Sequence, residues 1–226
     1  MKFKSAKFYD LYAKPQIYAA NALIQTLKDY RQNFKDIYEI GAGSGVLTRL
    51  IIDNLSYENL ILNDLYESEF MSKFRTQIGD ISNLQIQNRQ DLIISSSVFQ
   101  WINTLENLAD RLKFSLKSGG ILAFSIFIDG TLRELSSFTN QGLEYKNLAQ
   151  LKAIFSQKFK ILTIKEQEIK LKFGNLKELL THLKHTGVNN IKGEFKLTKS
   201  SYKALNSHFN DDFRLSYKFA ILILKN

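Results

Sequence analysis

Tyr38-Glu39-Ile40-Gly41-Ala42-Gly43-Ser44-Gly45 decides how this chain is read. Before it, Asp36 to Ile40 reads as a short strand; after it, Val46 to Asn54 reads as a helix. Three glycines at alternate positions let the backbone turn sharply and approach a ligand closely. They do so at the end of a strand, where ligands sit in open α/β sheets. A dinucleotide-binding fingerprint is Gly-x-Gly-x-x-Gly, its third glycine serving helix packing near a pyrophosphate. Here the third glycine comes one residue early, and Glu39 stands two positions before the first. Nineteen residues after Gly45, Asp64 ends a second apolar run, Leu60-Ile61-Leu62-Asn63-Asp64. That carboxylate is predicted to lie beside the loop, able to hydrogen-bond both hydroxyls of a ribose.

Working outward, a helix is predicted from Gln16 to Tyr30, with Ile17, Ala20, Leu23, Ile24 and Leu27 on one stripe. Tyr66 to Thr76 reads as helical, Asp91 to Ser95 as a buried strand, and Leu105 to Leu116 as a helix. Ser118-Gly119-Gly120 reads as a turn before the strand Ile121 to Ser125. Strands alternating with amphipathic helices imply an α/β fold, a mostly parallel sheet wound on both faces. In the final third, Lys158 to Phe173 alternates apolar and polar residues and reads as one long strand or a hairpin. Asn175 to His185 and Thr198 to Phe209 read as helices, and Phe213 to Leu224 as a closing strand. No repeat or Pro/Gly-rich linker interrupts the chain. A single domain, 1–226, is expected, with inserted lid or substrate segments at about 130–157 and 175–209.

Composition narrows the partners. Apolar residues make up 44% of the 226, yet no run approaches the roughly 20 residues of a membrane-spanning helix. The beginning of the chain has no signal-peptide pattern, and cysteine is absent, which suits a cytoplasmic protein. The net charge of +9 points to an acidic partner or to lysines scattered over a solvated surface. No run of five basic residues exists and aromatics do not alternate with arginine, so neither nucleic acid nor membrane is expected as partner. His182, His185 and His208 lack metal-site spacing, so no metal is expected.

The Glu-x-Gly-x-Gly-x-Gly form resembles motif I of class I methyltransferases, whose cofactor, S-adenosyl-L-methionine, has no pyrophosphate but carries a methionine ammonium. Gly79-Asp80-Ile81 occupies a position that in such enzymes often contacts adenine; it also suits a polar turn. Asp91-Leu92-Ile93-Ile94-Ser95-Ser96-Ser97-Val98-Phe99-Gln100-Trp101 places a polar loop after the fourth strand, where the transferred methyl group points in this fold. Its Gln100-Trp101 pair is similar to that of the malonyl-[acyl-carrier protein] O-methyltransferase family. So are Phe8-Tyr9-Asp10-Leu11-Tyr12-Ala13-Lys14-Pro15-Gln16, Leu116 to Ser125, Gly130-Thr131-Leu132-Arg133-Glu134-Leu135, Leu183 to Gly187 and Leu215-Ser216-Tyr217. Gln100-Trp101 and Gly130 to Leu135 are the discriminating segments.

The resemblance implies a doubly wound, Rossmann-like, seven-stranded mixed sheet with an antiparallel last strand. It implies transfer of a methyl group from S-adenosyl-L-methionine to the free carboxylate of a malonyl thioester, at the start of pimeloyl synthesis for biotin. Another small-molecule acceptor, or a non-catalytic protein on the same fold, stays open. Cofactor contacts fall on Glu39, Gly41, Gly43, Gly45, Asp64, Asp80, Ile81 and Ser95. Tyr9, Gln16, Gln100 and Trp101 are the residues expected to shape the acceptor pocket, with Tyr12 a weaker candidate. Trp101 also suits a core aromatic at a helix start. Arg133 could hold a carboxylate in bidentate fashion or be a solvated helix residue. No arginine lies between Gln141 and Lys158, which leaves Lys146 as the nearest basic candidate for the substrate. The partner implied is acidic malonyl-acyl carrier protein, to which the +9 charge is suited, and a monomer is expected.

Overall fold

The computed structural model describes residues 11–139, 144–186 and 198–226. One seven-stranded sheet organises them, in the order β3-β2-β1-β4-β5-β7-β6. Its strands are β1 (Asp36–Ile40), β2 (Asn59–Asp64), β3 (Arg75–Ile78), β4 (Gln90–Ser96), β5 (Leu116–Phe127), β6 (Lys160–Lys172) and β7 (Arg214–Lys225). The pairs from β3 across to β5 are parallel; β7 runs antiparallel to both β5 and β6. The carboxyl ends of β1 to β6 and the start of β7 therefore share one edge.

The side-chain period of two sorts the sheet onto two cores. Leu92 and Ile94, Ile121 and Ala123, and Phe219, Ile221 and Ile223 face one side. There they meet α1 (Lys14–Lys28), α2 (Val46–Asn54), α6 (Leu176–His185) and α7 (Lys199–Phe209). The alternate residues Ile93, Leu122, Phe124, Ala220, Leu222 and Leu224 face α3 (Leu105–Phe114) and α5 (Leu148–Ser156). The short α4 (Arg133–Thr139) packs on the α1 side through Leu135 and Phe138.

Local chemistry explains the boundaries. Pro15 in the first turn of α1 supplies a preset φ where a missing amide costs nothing. Asn147 caps α5 in a box with Gln150, Asn175 caps α6 by accepting from the Glu178 amide, and Thr198 caps α7 in a box with Ser201. At the opposite sheet edge, Lys117 bonds both Asp36 and Asp91, at 2.7 and 2.9 Å, tying the starts of β1 and β4 to β5.

Two sequence expectations need correction, and one open alternative is decided. Tyr66 to Thr76 is not a helix. Phe70, Met71 and Phe74 have helical spacing, but only Met71–Lys73 form a single 3-10 turn, and the chain then pairs with β2 as β3. Ser118-Gly119-Gly120 is not a free turn but part of a continuous β5, with a register irregularity opposite Gln90 and Leu92. Lys158 to Phe173 resolves into one strand, not a hairpin. Of the two proposed insertions, residues 140–143 and 187–197 lie outside the described residues, as do Tyr9 and Gly187. No helix among the described residues is long and apolar enough to cross a membrane.

Candidate active site

The glycine loop leaves β1 and lies against the end of β2. Gly41 and Ala42 both donate backbone N–H bonds to the Asn63 carbonyl, at 2.8 and 3.0 Å. Gly43 donates to Oδ2 of Asp64 at 2.9 Å, and its carbonyl accepts from the Ser68 hydroxyl at 2.8 Å. Both Gly43 and Gly45 have left-handed backbone, φ +54° and +85°. A Cβ at Gly45 would fall 2.2 Å from the Phe70 ring, whereas one at Gly43 would meet only Asp64 Oδ2, 4.0 Å away. Gly45 thus serves packing, while Gly43 borders open space beside the Asp64 carboxylate.

Glu39 sits beneath the loop, fully buried. Its Oε2 accepts from the Thr48 hydroxyl of α2 at 2.7 Å, and its Oε1 has no hydrogen-bond partner. Burial pushes this carboxyl up to about 8; Asp64 also raises it, while the Thr48 bond and Arg49 oppose the shift. A carboxylate so placed favours a cationic donor, which would restore its ionised form.

Next along the edge, Gly79 donates to the Asp64 carbonyl at 2.9 Å. Asp80 is exposed and its Oδ1 accepts from the Ser82 amide at 2.8 Å. Ile81 is buried on the α3 side. Ser95, the last of the expected cofactor contacts, has its side chain engaged within the sheet. Its hydroxyl is buried and donates to the Ile40 carbonyl at 2.9 Å, which ties β4 to β1.

Ser97, which the sequence reading passed over, is the residue in this loop with unusual geometry. It holds a left-handed φ of +59°, a conformation that strains a side chain of this type. Its amide donates to the Ser125 carbonyl at 2.9 Å, and its own carbonyl accepts from the Gln100 side-chain amide at 2.6 Å. The three-serine run was a visible signal, but nothing in it singled out Ser97. Trp101 is 42% exposed, which overturns the core-aromatic alternative; Phe99 takes the core position instead.

Gln16 lies in the first turn of α1, a helix of about 22 Å. Because α1 leads back to the start of β1, its own start reaches the carboxyl edge. Tyr12, just before α1, stacks on His185 with centroids 4.3 Å apart. Five buried side-chain oxygens among the described residues lack a hydrogen-bond partner: those of Gln16, Glu39, Ser97, Gln100 and Gln167. The first four all lie in segments bordering the glycine-loop edge. Buried polar atoms are ordinarily satisfied, so this concentration marks where a polar ligand would complete the protein.

The segment after β5 explains itself through β7. Thr131 Oγ1 donates to the Lys218 carbonyl at 2.7 Å, Leu132 N–H to the Ser216 carbonyl at 2.7 Å, and Glu134 accepts from the Ser216 hydroxyl and amide at 2.5 and 3.0 Å. Gly130 to Leu135 and Leu215 to Tyr217 are therefore two halves of one joint. Arg133 is left on the outside, where it forms a bidentate pair with Glu168 of β6 at 2.9 and 3.3 Å. Its guanidinium is engaged rather than freely solvated. Lys146 is half-buried, and its carbonyl accepts from the Asp129 amide at 3.2 Å.

The sheet order, the antiparallel β7 and the loop between β1 and α2 define an S-adenosyl-L-methionine-dependent class I methyltransferase. Residues 38–124 match the family described as a methyltransferase domain. A malonyl-[acyl-carrier protein] O-methyltransferase of Calditerrivibrio nitroreducens is 34% identical over 83% of this chain and 78% of its own length. A second such enzyme, from Ilyobacter polytropus, is 31% identical over 95% of this chain and 87% of its own. The chain belongs to the malonyl-[acyl-carrier protein] O-methyltransferase family. In fold it matches the N-methyltransferase NodS of Bradyrhizobium japonicum, solved with S-adenosyl-L-homocysteine, at a TM-score of 0.54 and 11% identity, over 92% of this chain and 85% of that one.

Proposed function

We propose that this enzyme methylates the free carboxylate of a malonyl thioester borne by acyl carrier protein, opening the synthesis of the pimeloyl precursor of biotin. The observation that carries the reading is the set of unsatisfied oxygens on Gln16, Glu39, Ser97 and Gln100 at one sheet edge, in a chain whose relatives carry that activity in their names.

The donor set fits S-adenosyl-L-methionine. Asp64 would hold the ribose hydroxyls, Glu39 would face the ammonium through its free oxygen, Gly43 would admit the ligand to the backbone while Gly41 and Gly45, packed on Val98 and Phe70, hold the loop in shape, and Asp80 and Ile81 would border the adenine. When bound, the cofactor supplies a methyl group made electrophilic by its sulfonium. The chain's own residues then have a limited task. A malonyl carboxylate is ionised at neutral pH, so no base is required. A strong salt bridge to the attacking oxygen would stabilise the ground state more than the transition state, in which charge is lost. Gln16, Gln100 and Trp101 act by positioning the acceptor and excluding water, with Tyr9 assigned the same task from sequence. Arg133 and Lys146 are the groups assigned to hold the acidic substrate, through the carboxylate oxygen that does not attack.

The test is methylation of malonyl-carrier protein with labelled cofactor, alongside rescue of a biotin auxotroph lacking this step. A base-labile methyl ester and rescue are expected. Cofactor binding with no ester on this acceptor would assign the fold to another small molecule, and no cofactor binding would assign it to a non-catalytic role.

A further inference from the structure

A cavity of about 610 Å³ is lined by Tyr12, Lys14, Lys172, Lys177, Glu178 and His182 among others, with no residue of the glycine loop in its wall. It lies where the start of α1, the end of β6 and the start of α6 meet, on the same carboxyl edge as the cofactor loop. From β4 to β6 the sheet steps across three strand spacings, roughly 14 Å. The cavity therefore lies beside the methyl-transfer position, joined to it by the start of α1, which carries both Lys14 and Gln16.

Its charge is lopsided. Glu178 is committed to the Gly174 amide at 2.8 Å and the Asn175 side chain at 3.1 Å. Among the described residues no carboxylate lies within ion-pair distance of Lys14, Lys172 or Lys177; Asp212 feels the field of Lys172 but is bonded to Arg214. His182 is buried at the wall and bonded to the Tyr217 hydroxyl at 2.7 Å. Burial first, and the field of Lys14 second, push its imidazole down to about 4, so it adds no charge of its own. Three lysines from three separate elements thus converge on a recess with one neutral, hydrogen-bonding wall.

We propose that this cavity holds the phosphate of the phosphopantetheine arm on the carrier protein, with Lys14, Lys172 and Lys177 as its counter-charges. The inference rests on the malonyl-carrier reading and deepens it. A thioester delivered on a long arm needs an anchor some distance from the reacting carboxylate, and a phosphodiester is that arm's fixed negative charge. Anchoring there lets remote binding energy orient the acyl end without a salt bridge at the attacking oxygen.

Calorimetry with 4′-phosphopantetheine and with pantetheine reads the site without turnover. The native protein should bind the phosphorylated arm at least tenfold more tightly. Lys14→Gln, Lys172→Gln and Lys177→Gln together should erase that preference, and the three Lys→Arg changes should keep most of it. In turnover, the Gln variant should raise KM for malonyl-carrier protein and leave malonyl-pantetheine unchanged. Equal affinity of the two arms for the native protein, or an unaltered preference in the Gln variant, overturns the site. A loss confined to malonyl-coenzyme A overturns the carrier as the arm's source. Intact phosphate preference with no methyl ester on malonyl-carrier protein would instead overturn the acceptor reading and leave the anion site standing.

Discussion

The amide of Gly43 donates to the Oδ2 of Asp64 across 2.9 Å, so the glycine loop and the carboxylate of the neighbouring strand form one structural unit. Oδ1 is held by a longer bond from the Tyr66 amide, 3.4 Å. Asp64→Ala removes both the proposed ligand contact and the loop's tie, and Asp64→Asn keeps an oxygen acceptor but loses the charge. The alanine variant should weaken S-adenosyl-L-homocysteine by more than tenfold, equivalent to about 1.4 kcal/mol or more. The asparagine variant should fall between it and the native protein. Because Asp64 is only half-buried, thermal unfolding without ligand should change little. Calorimetry and a melt on the same samples check both halves.

The glycines of the loop should separate by the same pair of measurements. Gly45→Ala drives a Cβ into the Phe70 ring, 2.2 Å away, at a φ of +85°. It should cost about 2–3 kcal/mol of stability through overpacking and left-handed strain. Gly43→Ala has room, so it should cost about 1–2 kcal/mol from backbone alone. Its greater effect should be on ligand affinity, because the added methyl group lies beside Asp64. Equal losses of stability in the two would contradict the division of labour.

What the sequence displayed was decided by how strongly each element depends on its own residues. β1 and α2 were legible to the residue, because a buried apolar run and a glycine loop leave little choice there. β3 was not, because Arg75-Thr76-Gln77-Ile78 is a short edge strand with no fully buried residue, held by pairing with β2. Its predecessor mimicked a helix through Phe70, Met71 and Phe74, which pack from a loop. At the proposed site, motif spacing singled out Glu39 and Asp64, and the family resemblance singled out Gln100. The left-handed Ser97 and the lysine-lined cavity were not singled out, since both arise from backbone geometry or from elements over a hundred residues apart.

Glu39 makes the protein sensitive to pH in two opposed ways. Its carboxyl is raised from 4.5 to about 8 in the folded state. A raised acid contributes stability that is present below the unfolded value and lost as pH rises through the folded one. Ligand-free stability should therefore decline between about pH 4.5 and 8, by an order of a few kcal/mol. Glu39→Gln should flatten that decline and raise the melting temperature at pH 8. The same change should weaken cofactor binding, because the ammonium loses its carboxylate. In the native protein, binding at pH 7 should release a proton, read from calorimetry in buffers of different ionisation enthalpy.

Arg133 reaches any substrate carboxylate only by exchanging Glu168 for it. Both partners are partly exposed, with 47% and 29% of their side chains accessible, so the pair should contribute less than about 1 kcal/mol to folding. Arg133→Ala should leave the melt nearly unchanged and raise KM for malonyl-carrier protein by about tenfold or more, of the size of one charge-assisted hydrogen bond. Glu168→Gln should lower KM, since it frees the guanidinium. If both variants keep native KM, Arg133 serves only to fasten α4 to β6.

Neighbouring aromatics in the loop after β4 should part company under substitution. Phe99 is fully buried, its ring 4.8 Å from Phe124, which in turn packs 4.9 Å from Phe155. Phe99→Ala should cost about 3–5 kcal/mol of stability, the usual price of a large aromatic cavity. Trp101, two residues on, is 42% exposed and contributes little to that core. Trp101→Ala should shift stability by less than about 1 kcal/mol. Its loss should appear in kcat/KM for malonyl-carrier protein, with S-adenosyl-L-homocysteine affinity nearly intact, if the indole borders the acceptor as proposed. Gln100→Leu, which removes both the Ser97 bond and the unsatisfied oxygen, should lower kcat more than affinity. A Trp101→Ala protein with full turnover on malonyl-carrier protein would remove the indole from the acceptor pocket and leave Gln100 as the positioning residue of that loop.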